Sequence, residues 1–176
     1  MIIRTNRLLL RLLTPEDLDS TCRYALDKES IPMMVYFPKL SRREVAEFLH
    51  NAQKEAAKER PDYYELAILR EGEHIGGISL YFDGYYDRGE LGWLLRRDCR
   101  GFGYAEEAAR GVMQYFSEVF ALKRFIAQCD TENSSSRRVI QKLGMRLVEV
   151  HSGRKNRCSD EERQEELYEW SCQDKT

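Results

Sequence analysis

Residues Arg100 to Ala108 read R-G-F-G-Y-A-E-E-A, following the apolar run Leu91 to Leu95 and at the head of a helical pattern. Gly101 and Gly103 allow a tight turn and let the backbone approach a ligand with no Cβ in the way. A helix starting just behind them offers unpaired N–H groups and the positive end of its dipole. Such an end accommodates phosphate or pyrophosphate, and Arg100 sets a fixed positive charge beside it. Two glycines alone favour a plain strand–turn–helix joint, so the flanking sequence decides.

Downstream of the turn, Ala105, Ala108, Ala109, Val112, Met113 and Phe116 recur at helical spacing and predict a helix ending near Phe120. Lys123 to Cys129 reads as a strand. The unit from Leu91 to Cys129 is therefore strand, helix, strand, which implies a locally parallel crossover. Asn133 to Leu143 is a second helix with Val139, Ile140 and Leu143 inward, and Gly144 stops it. Met145 to His151 and Glu166 to Cys172 read as closing strands, with the charged Arg154 to Glu165 as a mobile hairpin or loop.

Upstream, Tyr63 to Leu69 and Ile75 to Phe82 read as strands joined by a tight turn at Arg70-Glu71-Gly72-Glu73. Gly76-Gly77 marks a bulge or close backbone approach. Thr14-Pro15-Glu16-Asp17 opens one helix, and Ser41 with Glu44 is a capping box opening another. Arg7 to Leu13 is a first strand, and the proline-broken, aromatic Ile31 to Leu40 an ordered loop. The order is β α α β β β α β α β β. Meandering central strands and one crossover predict a mixed sheet with helices on both faces.

A chain of 176 residues is read as one domain, 1–176, with a real hydrophobic core. Its 28 basic and 30 acidic residues leave a net charge of −2, with no stripe for nucleic acid and no acidic tail. No apolar run reaches the ~20 residues of a membrane helix. The five cysteines, Cys22, Cys99, Cys129, Cys158 and Cys172, lack metal-type spacing and read as reduced thiols of a cytoplasmic protein. No metal, nucleic acid or membrane is expected, and the chain is read as a monomer or homodimer.

Three pieces in order carry a resemblance: T-N-R-L-L-L-R-L-L-T-P-E-D from Thr5, G-W-L-L…R-G-F-G-Y-A-E-E-A, and N-S-S-S-R-R-V-I-Q-K-L-G-M from Asn133. Together they resemble the GNAT superfamily of acetyl-CoA-dependent N-acetyltransferases, and within it the branch that acetylates N-termini of ribosomal proteins. The family motif Gln/Arg-x-x-Gly-x-Gly/Ala appears here as Asp98-Cys99-Arg100-Gly101-Phe102-Gly103, departing at its first position. The resemblance implies an α/β (α+β) GNAT fold, with a mixed, mostly antiparallel sheet of about seven strands splayed at the centre and helices on both faces. It also implies acetyl-CoA as co-substrate, with pantetheine along a wedge between Glu90–Leu95 (backbone of Trp93, Leu94 and Leu95) and Lys123–Cys129. Pyrophosphate would lie on the N–H groups of Gly101, Phe102, Gly103, Tyr104 and Ala105. Asn133 would meet the pantetheine amide, and Lys142 and Arg138 the adenosine phosphates or only solvent.

Acetyl transfer to an amine needs positioning, a donor for the developing oxyanion and a route for protons. It needs no covalent enzyme intermediate, so neither Cys99 nor Cys129 is cast as a nucleophile. Ser136 matches the family's position for the acid that protonates the leaving thiolate, or is a first-turn serine bonding the backbone. Glu90 is the candidate base, or a solvent-facing strand acid. His50 and His74 read as surface residues and His151 as a weaker base. Met33, Met34, Tyr36 and Phe37 form an apolar lip for the acceptor, while Glu44 or Glu65 attracts a cationic amine. A protein N-terminus is the expected acceptor. Polyamine, antibiotic amine and amino acid stay open, as does a non-catalytic acyl-CoA sensor of the same fold. A different phosphate-binding enzyme is disfavoured, since neither G-x-G-x-x-G nor the P-loop pattern is present.

Overall fold

The structure is a computed structural model and describes residues 1–29, 33–34, 41–156 and 159–172. Its strands are β1 Ile2–Arg4, β2 Leu9–Leu12, β3 Tyr63–Arg70, β4 Glu73–Phe82, β5 Arg88–Leu95, β6 Arg124–Asp130, β7 Arg146–Lys155 and β8 Glu162–Ser171. Its helices are α1 Leu18–Ala25, α2 Arg42–Ala56, α3 Tyr104–Val119 and α4 Ser134–Lys142. The strands form one eight-stranded sheet in the order β1-β2-β3-β4-β5-β6-β8-β7. All neighbours are antiparallel except β5 and β6, the crossover pair.

Period-two alternation sends the strand residues to two separate cores. On one face Leu66, Ile68, Ile78, Leu80 and Leu91 pack with Ala108, Ala109, Val112 and Phe116 of α3 and Ile140 of α4. On the other, Ala67, with Leu94 packed alongside, meets Tyr24 and Ala25 of α1 and Val45 and Leu49 of α2. The turn leading into α1 and the start of α2 are held as the sequence requires. The Asp17 carboxylate accepts from the Thr14 N–H at 2.9 Å ahead of α1. Ser41 Oγ accepts from the Glu44 N–H at 3.3 Å ahead of α2.

Four expectations change. The run from Arg7 is a strand only from Leu9 to Leu12, and an extra strand, β1, pairs with it through Ile2↔Arg11. The chain reverses between them, with the Thr5 N–H donating to the Leu8 carbonyl at 3.0 Å. A three-residue strand carries too little period-two signal to be read alone. The expected turn at Glu71-Gly72 forms with both residues at positive φ, 51° and 84°, the combination that matches hairpin twist. Of the two readings of Gly76-Gly77, the close backbone approach holds, since a Cβ at Gly76 would collide with the Leu94 carbonyl oxygen, while the bulge falls one step earlier: Ile68 faces Gly76 and Leu69 faces His74, leaving Ile75 as the extra residue.

The charged segment Arg154 to Glu165 is largely strand, β7 reaching Lys155 and β8 starting at Glu162. The fully buried Asp130 carboxylate accepts from Arg163 Nη2 at 3.1 Å and Asn156 Nδ2 at 2.6 Å, and Arg154 pairs with Glu165. Those pairs satisfy the charges that made the segment look solvated. The loop expected over Ile31 to Leu40 lies outside the described residues except Met33 and Met34. The Met33 carbonyl accepts from Arg154 Nη2 at 3.1 Å. Lip residues Tyr36 and Phe37 also lie outside.

Candidate active site

β5 and β6 pair over three rungs only, Arg88↔Arg124 to Glu90↔Ile126. Past that point each stays with its other neighbour: β5 follows β4 to Gly76↔Leu95, and β6 follows β8 to Asp130↔Glu165. The two strands therefore part, and a wedge opens between the Leu91–Leu95 edge of β5 and the far half of β6. Along it the side chains alternate. Trp93 and Leu95 pack toward the α3 core and Leu94 toward the α1–α2 core, so the backbone edge faces the gap.

At the open end the chain turns into α3. Gly101 and Gly103 both take left-handed conformations, φ 84° and 82°, and Gly103 is the N-cap of α3. The first bond of the helix ladder runs from the Glu107 N–H to the Gly103 carbonyl at 3.0 Å. The N–H groups of Tyr104, Ala105 and Glu106 precede that ladder and point out of the helix end. Tyr104 and Ala105 are buried, so they can offer a ligand only their backbone. Phe102 at the tip of the turn is 60% exposed. Arg7 braces the turn from the N-terminal strands: it donates to the Phe102 carbonyl at 3.0 Å, pairs with Glu107 and lies 4.6 Å over the Tyr104 ring.

Arg100, beside the turn, engages the end of β5. Its Nε and Nη2 donate to the Leu95 carbonyl at 3.0 and 2.9 Å, and Asp27 is 3.5 Å away. It ties the last residue of β5 to the end of α1. Lys142 is exposed and 3.7 Å from Glu106, while Arg138 Nη2 reaches Ser134 Oγ at 3.4 Å. Asn133 is the N-cap of α4, its Oδ1 accepting from the Ser136 N–H at 3.1 Å. Ser136 therefore sits in the first turn of α4 beside the β6 end, and among the described residues its hydroxyl makes no hydrogen bond.

Glu90 occupies the last rung before the strands part. It is half-buried, and among the described residues its carboxylate has neither hydrogen bond nor ion pair. Burial, then the charge of Glu165, pushes it above the usual carboxylate range, and Arg88 only partly offsets this. A base needs that condition: an unpaired carboxylate whose proton affinity has been raised. Cys129 is pushed up to about 12, first by burial and then by Glu166, and stays a thiol at neutral pH.

On the α1–α2 face the sequence names Glu65 as a residue to attract a cationic amine, but not its tyrosine neighbours, nor the burial of His74. Tyr63 stacks on Tyr81 with ring centroids 5.0 Å apart, and Tyr81 Oη donates to Glu65 Oε1 at 2.8 Å. Tyr81 pairs across the sheet with Glu90, so this group adjoins the wedge apex. The period-two spacing of Tyr63 and Glu65 was the available signal. His74 also differs from expectation: it is buried, 7% exposed, with Nε2 at 2.8 Å from the Gly76 carbonyl and Nδ1 at 2.8 Å from Ser20 Oγ. A strand end facing α1 buries it, which polar neighbours in sequence do not reveal.

The sequence profile described as Acetyltransferase (GNAT) domain matches residues 7–146. The chain belongs to the GNAT acetyltransferases. It is accordingly an acetyl-CoA-dependent N-acetyltransferase, with acetyl-CoA as co-substrate. It is similar to the uncharacterised N-acetyltransferase YnaD of Bacillus subtilis, 30% identical over 149 residues and 83% of each chain. The GNAT fold is shared with an acetyltransferase of Bacillus anthracis (TM-score 0.84, 23% identity, 97% of this chain and 98% of that one). It is shared too with RimL, a ribosomal-protein α-N-acetyltransferase solved with coenzyme A (TM-score 0.87, 15% identity, 97% and 98%). Among the described residues no helix is long and apolar enough to cross a membrane.

The wedge and the α3 end are of a kind that fits this co-substrate. The wedge leaves backbone groups of β5 free to pair with an extended amide chain, and the α3 end presents N–H groups to a pyrophosphate.

Proposed function

We propose that this GNAT enzyme acetylates a peptide or protein N-terminal α-amine by direct attack in a ternary complex. The observation that carries the reading is Glu90: an unpaired, raised carboxylate at the point where β5 and β6 separate. Pantetheine along Trp93–Leu95 would bring the thioester toward that apex. Pyrophosphate would rest on the Gly101–Ala105 N–H groups, with Asn133 at the amide end of the chain.

The neutral amine attacks the thioester carbon, forming a C–N bond and a tetrahedral oxyanion. Glu90 takes the ammonium proton directly or through one water. The oxyanion collapses, the C–S bond breaks, and the CoA thiolate takes a proton from the Ser136 hydroxyl, which is restored through water by the proton that Glu90 took up. An α-amine has a reference pKa of about 7.7–8.0 against about 10.4 for a lysine side chain. Near neutral pH a larger fraction of α-amine is already competent, which suits one carboxylate relay. The likeness in fold to a ribosomal-protein α-N-acetyltransferase agrees with this choice.

The test is CoA release with acetyl-CoA and either a free N-terminal peptide or an N-blocked, lysine-containing one. The free N-terminus should react faster. A faster N-blocked peptide would overturn the acceptor assignment.

A further inference from the structure

The sheet face under α1 and α2 carries more than Glu90. Tyr63, Glu65, Tyr81 and Glu90 all point to it, because Tyr63 pairs with Tyr81, Glu65 with Ser79, and Tyr81 with Glu90. The Tyr63–Tyr81 stack ends in Tyr81, a residue 40% exposed, while Glu65 beneath it is buried and accepts a hydrogen bond from the Tyr81 hydroxyl. An exposed aromatic pair backed by a buried carboxylate suits an organic cation: the ring face attracts it and the carboxylate deepens the attraction.

We propose that Tyr63, Tyr81 and Glu65 hold a second, non-reacting cationic group of the acceptor. This rests on the acetyl-transfer reading above and adds to it a property of the acceptor: a positive charge besides the attacking nitrogen. The attacking nitrogen must be neutral, so a cation-binding platform beside the base serves a different group. Cross-strand neighbours have Cβ atoms about 5 Å apart, and strands are spaced about 4.8 Å. A charge over the Tyr81 ring therefore lies roughly 5–10 Å from an amine at Glu90. An N-terminal peptide with lysine or arginine at its second position spans that distance, and so does a short diamine.

The local field agrees. After burial, the charge of Glu65 raises the Tyr81 phenol, and it acts in the same direction on Tyr24 and Tyr63.

The experiment compares kcat/KM at saturating acetyl-CoA for two pairs of acceptors. One pair is Ala-Lys and Ala-norleucine N-terminal peptides; the other is 1,4-diaminobutane and butylamine. Wild type, Y81F and Y81L are each measured, together with acetyl-CoA affinity by calorimetry. Wild type should prefer the doubly cationic member of at least one pair by about tenfold. Which pair shows the preference distinguishes a peptide from a diamine. Y81L should abolish that preference through acceptor KM with acetyl-CoA affinity unchanged, and Y81F, which keeps the ring, should retain part of it. Equal rates within both pairs, or a preference that survives in Y81L, would overturn the subsite while leaving acetyl transfer standing. No CoA release with any of the four would overturn the acceptor chemistry and the subsite with it.

Discussion

In the proposed mechanism Glu90 and Ser136 make separable demands. Glu90→Gln keeps shape and removes basicity, so its kcat/KM should fall near neutral pH. The deficit should narrow as pH rises and free amine accumulates. Superimposable pH–rate profiles of wild type and mutant would remove Glu90 from the proton path. Ser136→Ala should lower kcat on the order of 10²–10⁴-fold with little change in the KM for acetyl-CoA, the pattern of a group acting in the transition state. Preserved turnover would leave Ser136 as a first-turn residue held by Asn133. His74 makes a different prediction, about stability. Burial lowers its pKa below the ordinary value despite the Asp17 charge and the Gly76 carbonyl, while Arg11 and Arg96 add to the lowering. Between its depressed folded pKa and the unfolded value of about 6.5, the unfolded chain binds more proton. Stability present above about pH 6.5 should therefore be lost as pH falls through that window. Urea titrations at stepped pH would show this slope in wild type and not in His74→Gln.

At the scale of elements, the start of α3 joins conformation to binding. Gly103 lies at φ 82°, and a Cβ there would stand 3.6 Å from Arg7 Nη2. Space is adequate, and the cost comes from the left-handed backbone, roughly 1–2 kcal/mol for a residue with a side chain. Gly103→Val should fold with a modestly lower urea midpoint and bind acetyl-CoA far more weakly, because α3 can keep its N–H groups on target only with this turn intact. Unchanged calorimetric affinity would place the pyrophosphate elsewhere. This element was legible in sequence because glycine spacing, helical periodicity and the preceding apolar run are all local. So was the α4 start at Asn133. The burial of His74 and the direction of Arg100 were not legible, because each depends on which strand or helix comes to lie opposite. β1 was missed for the same reason: only its pairing with β2 makes it a strand. The Tyr81–Glu65 bond joins residues sixteen apart through β3–β4 register, which a turn prediction implies but does not fix.

Over the whole molecule, the β7–β8 side depends on charges more than on apolar burial. Burial alone would raise Asp130, but Arg163, the Glu132 N–H and Asn156 outweigh it and hold the carboxyl below its ordinary value. Removing the partner with Arg163→Met should destabilise by about 3–5 kcal/mol, the usual cost of stranding a buried charge. Because Asp130 is depressed, its contribution is present above the unfolded value of about 3.9 and lost as pH falls through the folded one. Acid should therefore narrow the gap between wild type and Arg163→Met in urea unfolding, and a constant gap would mean that Asp130 is not the group involved. The three-rung contact between β5 and β6 has a mechanical corollary. Five strands lie on one side of that joint and three on the other, so the sheet has a compliant seam where most sheets are stiffest. On the proposed placement, a thioester co-substrate lying in the gap would act as a splint across the seam, and its departure would restore the give. Amide hydrogens of Leu91–Leu95 and of the outer half of β6 should then exchange faster in the empty enzyme than in the loaded one, while those of β3 and β4 keep the same rates in both.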